Sequence, residues 1–306
     1  MSSIALIGNV NADLIVSPVA ELPPPGAERS VDSIEARVGG AAANTALALA
    51  RLGVRPRLVG CVGDDAFGRF VHDELAAAGL ADDLVLLPGA PTGICLAFEA
   101  PGRDRAFLTA LGSLAAFTAT LVPAEALRAR FVLLCGYFLL PALRGEPARA
   151  LLGAARAAGA TTLLDCGDDL AGWPAETRAE IGGLLPVVDV FLPNEAEAVA
   201  LTGEDDPLAA ARALQRVSGG VVVVKLGPRG CLALFRDGAV ERVAAPPVKV
   251  RDTTGAGDAF NAGLLFALGE GREWPAALSF AVRLASTVVA RPSAVRHPPV
   301  EEVLGA

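Results

Sequence analysis

The chain of 306 residues holds only two lysines, Lys225 and Lys249, and its 26 basic residues are outnumbered by 34 acidic ones, for a formal net charge of −8. A general nucleic-acid binder needs a basic surface to neutralise phosphates, so this balance argues against that class. It leaves room for an anionic small ligand, because a few backbone N–H groups and one arginine can make a local positive pocket in an acidic protein. No C-x-x-C spacing occurs among Cys61, Cys95, Cys135, Cys166 and Cys231, and most of them fall inside apolar segments. Buried reduced thiols are expected, not a disulfide framework or a zinc site. No apolar run is long enough to cross a bilayer; the longest, FVLLCGYFLLPAL from Phe131, is interrupted by Gly136 and Pro141. No basic segment stands before IALIGNV, so no secretory leader is legible and a cytoplasmic location is expected.

Two nucleotide-binding patterns are missing as well. IGNVNAD stands after the first apolar run where a NAD-dependent oxidoreductase needs G-x-G-x-x-G, and G-x-x-x-x-G-K-[ST] of the P-loop kinases occurs nowhere.

What is present is 53% hydrophobic residues, enough for one large core. Short apolar runs (SIALIGNV, RPRLVGCVG, FVLLCGY, TTLLDCG, VDVFLPN, GVVVVKLG) alternate with Ala/Leu-rich stretches that carry helix caps and stops. That rhythm predicts a single doubly wound α/β domain over residues 1–306, with a mostly parallel sheet flanked by helices. Asp64 and Asp65 read as caps of the helix that follows them, and His72 as a solvated residue on its polar side. Two stretches break the rhythm. Residues 17–38 are proline-rich and then alternating, and residues 92–113 read as two strands around PGRD. Together they predict a small β appendage, placed as a lid over the carboxyl ends of the main strands.

The stretch VRDTTGAGDAFNAG, residues 250–263, holds the most chemistry. Gly255 and Gly257 let the backbone bend tightly, so that N–H groups at the start of a helix converge as an anion site. Asp258 in the first turn would face that anion, which is unfavourable unless a hydroxyl between them gives up its proton. Local physics permits two readings: a phosphate cradle with a base built in, or a turn that only starts a helix.

The stretch closely resembles the second signature of the ribokinase-like carbohydrate kinases, the PfkB family. VGGAAANTALALARLG, from Val38 to Gly53, is similar to the family's first signature, GCVGDDAFG to its G-x-x-G-x-D-x-x-G segment, PNEAE to its N-x-x-E motif and KLGPRG to its nucleotide loop. The resemblance implies an ATP-dependent, magnesium-requiring kinase of a sugar or sugar acid. Asp258 would be the base, and the amides of Gly255, Ala256 and Gly257 the hole for the transferred phosphoryl group. Asn11, Asp13, Gly39, Gly40, Asn44 and, from the lid, Arg105 would hold the acceptor. Asn194, Lys225, Gly227 and Gly230 would line the nucleotide, with Glu197 and Asn194 ordering magnesium largely through water. A potassium-like ion would rest on Asp252, Thr254, Val288, Arg291 and Ser293. The chain departs from the ribokinase pattern at Ser293, where glycine is usual, and at His297, where serine is usual. It departs again at Ala41 and Tyr137, where ribokinases carry a lysine and a sugar-contacting glutamate, so ribose is disfavoured against fructose, 2-keto-3-deoxygluconate or a nucleoside. A non-catalytic sugar-binding regulator is the other reading, against which Asp258 argues. The relatives' use of the lid to pair subunits implies a homodimer.

Overall fold

The computed structural model describes residues 3–19, 21–98, 106–292 and 297–305. The first strand β1 is Ile4–Gly8, followed by β2 (Asn11–Val16), β3 (Ile34–Gly39), α1 (Ala41–Arg51), β4 (Arg57–Gly63), α2 (Ala66–Ala77), β5 (Asp83–Leu87), β6 (Ile94–Phe98) and β7 (Ala106–Ala110). The second half holds β8 (Phe131–Cys135), α3 (Glu146–Ala157), β9 (Thr161–Asp165), α4 (Ala175–Leu184), β10 (Val190–Phe191), α5 (Glu195–Thr202), α6 (Pro207–Ser218) and β11 (Val221–Lys225). It closes with β12 (Cys231–Leu234), β13 (Val240–Val243), α7 (Ala256–Gly269), α8 (Trp274–Val289) and α9 (Val300–Gly305).

The described residues form a nine-stranded sheet in the order β13-β12-β11-β10-β9-β8-β1-β4-β5. It is parallel except at one edge, where β12 runs antiparallel to β11 and β13 antiparallel to β12. The central strands IALIG and FVLLC are buried at every residue, as strands covered on both faces must be. Strand alternation splits the core in two. Ile4 and Leu6 of β1 face α1, α2, α7 and α8, while Ala5 and Ile7 face α3, α4 and α6. Asp65 caps α2 as expected, accepting from the Gly68 N–H at 2.8 Å, and it also accepts the Thr92 hydroxyl at 2.6 Å. No helix among the described residues is long and apolar enough to cross a membrane.

The small appendage is a four-stranded sheet in the order β3-β2-β6-β7. Its boundaries differ from the expected 17–38 and 92–113. The sheet begins at Asn11, only two residues past β1, and no strand lies among the described residues of 17–33. The reasons are local. Asn11 and Asp13 have weak strand propensity and masked β2, whereas Pro18, Pro23, Pro24 and Pro25 have no N–H to give a ladder. Residues 112–116 form a 3₁₀ turn that returns the chain to the main sheet. The expected turn PGRD lies outside the described residues.

Candidate active site

From β1 the chain adds β4 and β5 on one side, and β8 then opens the other side, so the order reverses between β1 and β8. Ligands of open α/β sheets occupy the crevice at such a point, beyond the carboxyl ends of the strands. The register lines up Gly8, Cys135 and Asp165 along that edge, and Asn194 bridges to Lys225 beyond it. α7 starts here. Its N-cap, Gly255, has φ +75°, a conformation open to glycine, and no side chain caps the first turn. The Ala256 N–H donates to the Thr253 carbonyl at 3.2 Å, so of the three amides expected to converge, this one is engaged within the turn. Asp258 sits in the first turn, where its Oδ2 accepts from Asn44 Nδ2 at 3.0 Å and its carbonyl from the Thr45 hydroxyl at 3.4 Å. Asn44, expected to meet a ligand, thus orients the Asp258 carboxylate. A buried amide on a helix packed against α7 would be costly without such a partner.

The neighbouring wall is a relay of short polar side chains. Asn9 donates to Asn11 at 3.2 Å, Asn11 donates to Asp13 at 2.7 Å, and Asn9 Oδ1 accepts the Ala41 N–H that opens α1. Gly39 lies directly across from Asn11, and a Cβ there would come within 2.0 Å of the Asp13 carboxylate. Only glycine admits that carboxylate against the backbone. Asn11, Asp13, Gly39 and Gly40 therefore lie together, the first three on β2 and β3 instead of at the end of β1 and Gly40 as the N-cap of α1. Arg105 lies outside the described residues.

The far wall carries a cluster that the sequence motifs do not announce. Lys225 Nζ donates to Asp165 Oδ2 at 2.6 Å, with side chains only 12% and 9% exposed, and Asn261 donates to the same oxygen at 2.5 Å. A Cβ on Gly257 would be 3.5 Å from Lys225 Nζ, which sets the ammonium beside the first turn of α7. Burial opposes the Lys225 charge, yet the carboxylates of Asp165, Glu197 and Asp258 raise its pKa above the ordinary value. Asn194 and Glu197 form a capping box on α5. Asn194 Oδ1 accepts the Glu197 N–H at 2.9 Å, and the Glu197 carboxylate accepts the Asn194 N–H at 3.0 Å and its Nδ2 at 2.6 Å. Burial, and after it the Asp165 charge, pushes the Glu197 carboxyl up to about 7 against the opposing pull of Lys225. Gly227 opens a 3₁₀ turn after β11. Gly230 is needed for chain crossing, since a Cβ there would strike the Val243 carbonyl at 1.9 Å.

The residues expected around a monovalent ion also converge, apart from Ser293, which lies outside the described residues. Asp252 is buried and accepts the Thr254 N–H at 2.8 Å, and the N–H groups of Arg251 and Asp252 donate to the Val289 carbonyl. The Val288 carbonyl accepts the Arg291 N–H at 3.1 Å, and the Arg291 guanidinium pairs with Glu302 of α9. Tyr137 is fully buried and commits its hydroxyl to Glu180 and to the Gly145 N–H. Asp165, Asn261 and Asn9 each left a signal in the sequence. Asp165 is a charge closing the buried run TTLLD, Asn261 follows Asp258 by one helical turn, and Asn9 is an amide breaking off the β1 run.

The sequence pattern of the pfkB family carbohydrate kinases matches residues 1–300, and the chain belongs to that family. It is accordingly a phosphotransferase acting on sugars. Among its relatives it is 27% identical over 307 residues to a ribokinase of Haemophilus influenzae, covering 98% of this chain and 96% of the other. It is 33% identical over 249 residues to a 2-dehydro-3-deoxygluconokinase of Thermoproteus tenax, covering 77% of this chain and 74% of the other. Among solved structures, an Arabidopsis thaliana ribokinase complexed with ribose and ATP superimposes with a TM-score of 0.86 at 26% identity, covering 100% of this chain and 98% of the other.

Proposed function

We propose that the protein transfers the γ-phosphoryl group of ATP to a hydroxyl of a sugar or sugar acid of the fructose or 2-keto-3-deoxygluconate type. The observation that carries this reading is Asp258 in the first turn of α7, held by Asn44 and set beside the N-terminal amides of the helix. The acceptor oxygen bonds to phosphorus as the bond to ADP breaks, and its proton passes to the Asp258 carboxylate. The amides of Gly255 and Gly257 and the Lys225 ammonium take up charge on the phosphoryl group. Asn11, Asp13 and Gly39 hold the acceptor's hydroxyls, and the small sheet acts as a lid that keeps water from competing as acceptor. The nucleotide lies along the turn from Lys225 to Gly230.

The oxygen donors of Glu197 and Asn194 suit a magnesium ion that keeps most of its waters, and Asp165 adds a carboxylate close by. Bound there, the ion would supply positive charge against the phosphates. Around the loop at Asp252 the chain departs from the ribokinase pattern at Ser293 and His297, so equal turnover in potassium and sodium is expected, and higher turnover in potassium would assign a monovalent ion to that loop.

ADP release over a panel of sugars, sugar acids and nucleosides tests the reading directly, and silence across the panel would favour a non-catalytic sugar sensor. With the best acceptor, Asp258→Asn should lower kcat by roughly 10² to 10⁴, the usual contribution of a positioned base. Unchanged turnover would remove Asp258 from that role.

The lid also supports a homodimer. Leu14 pairs with Leu96 and Leu96 with Leu108, while Ile34 lies opposite Val16, so these residues share the face turned away from Asp13 and Arg37. Ile34 and Leu108 are 59% and 61% exposed, an apolar surface that a second copy would cover. Leu108→Asp is expected to shift sedimentation from dimer to monomer, and a wild-type monomer would end the idea.

A further inference from the structure

The acceptor region is charged unevenly. Its inner end holds the carboxylates of Asp13 and Asp258, beside which an anionic group would be repelled. Further out along β2, a cavity of about 650 Å³ opens between β2–β3 and the segment 249–252, and its lining includes Arg37, Lys249 and Arg251 against the acids Glu35 and Asp252. Arg37 lies directly opposite Asp13 in the β2–β3 register, and Glu35 opposite Ile15, so the cavity continues the face that carries Asn11 and Asp13. Glu35 is already paired with Arg37, and Asp252 accepts the Thr254 N–H. Among the described residues no ion pair involves the Lys249 or Arg251 side chain. Three cations thus face two carboxylates across one cavity, which leaves its wall net positive in a chain of net charge −8 that has only two lysines in all.

We infer that this cavity is an anion subsite for the end of the acceptor remote from the phosphorylated hydroxyl, so that the acceptor is an anionic sugar carrying a carboxylate or a phosphate. This rests on the kinase reading above. Residues two apart on a strand share a face at a spacing of about 7 Å. An extended six-carbon acceptor with its reacting hydroxyl at Asp258 and its middle hydroxyls at Asp13 therefore brings its far end to Arg37, Lys249 and Arg251. The two carboxylates at the inner end and the cations at the outer end fix its direction. Arg37 has donors to spare beyond its contact with Glu35, and forked guanidinium contacts suit both carboxylate and phosphate.

The test compares a ketohexose, the corresponding keto acid and the corresponding hexose monophosphate as acceptors, with wild type and with Lys249→Gln/Arg251→Gln. An anionic acceptor should exceed the neutral sugar in kcat/KM by about tenfold or more, the worth of one charge-assisted contact. That advantage should shrink as salt rises and vanish in the double variant. Whether the acid or the phosphate leads identifies the anion. ADP release without anionic preference, or a double variant that raises the ATP KM and spares the acceptor preference, overturns the subsite while the kinase reading stands. If no acceptor gives ADP, the kinase reading fails and thermal shift by the keto acid decides the subsite. A shift present in wild type and lost in the double variant keeps it, and no shift removes it. Should the double variant not fold, the wild-type preference decides alone: a preference that falls with salt keeps the subsite, and one indifferent to salt removes it.

Discussion

At the scale of single residues, the Asp165–Lys225 pair is the contact on which the far wall depends. Its side chains are 9% and 12% exposed, and their mutual distance is 2.6 Å. Removing one member of such a pair strands the other charge in a poorly solvated place, at about 3–5 kcal/mol. Asp165→Asn should fall at the low end, about 3 kcal/mol, because Glu197 and Asp258 still face the ammonium. Adding Lys225→Met should restore part of the loss, as read by denaturant unfolding of the single and double variants. The pair also carries a pH dependence. The Lys225 pKa is raised above its ordinary value of 10.5, so its stabilisation is complete below that pH and is lost as pH rises through the folded value. Lys225→Met should flatten the alkaline limb of the stability curve. Lys225 was legible as part of a nucleotide loop, but its pairing with Asp165 was not, because 60 residues separate them and only the carboxyl ends of β9 and β11, on either side of β10, bring them together.

At the scale of elements, helix starts recur around the site: α1 after Gly40, α5 on its capping box and α7 on an open, uncapped turn. All three carry motifs the sequence shows, paired glycines before α1, glycines and a first-turn carboxylate at α7, and N-x-x-E at α5, whose capping role the structure adds. Asn194→Ala should cost about 1 kcal/mol of stability through the lost cap, and in addition raise the magnesium requirement of turnover if the Glu197 carboxylate is left misoriented. A stability loss with an unmoved magnesium titration would confine Asn194 to capping. β2 was less legible, because its pattern is polar at Asn11 and Asp13, on the face proposed to hold the acceptor, and that conflicts with local strand propensity.

At the scale of the molecule, two cores lie on either face of one sheet, and both are sealed enough to quiet the thiols. Burial pushes Cys61 and Cys231 up to about 12 and raises Cys135 and Cys166 well above the ordinary thiol value. Cys95 is half-buried on the small sheet. At pH 8 a thiol reagent should therefore modify Cys95 first and the other four only as the domain unfolds, which makes their release a direct count of global opening. Fast reaction of several thiols in the native state would contradict the sealed core.

The sequence by itself determined the alternation of strands and helices and, through motifs spread along it, the family, since these rest on short-range periodicity and on residues close together in the chain. Tertiary structure alone decided that Asp165 anchors Lys225 beside α7, that Asn44 holds Asp258 across 214 residues of sequence, and that Arg37 meets Lys249 and Arg251 across one cavity. Those arrangements depend on strand order and register, which bring distant residues to one sheet edge and which no local pattern encodes.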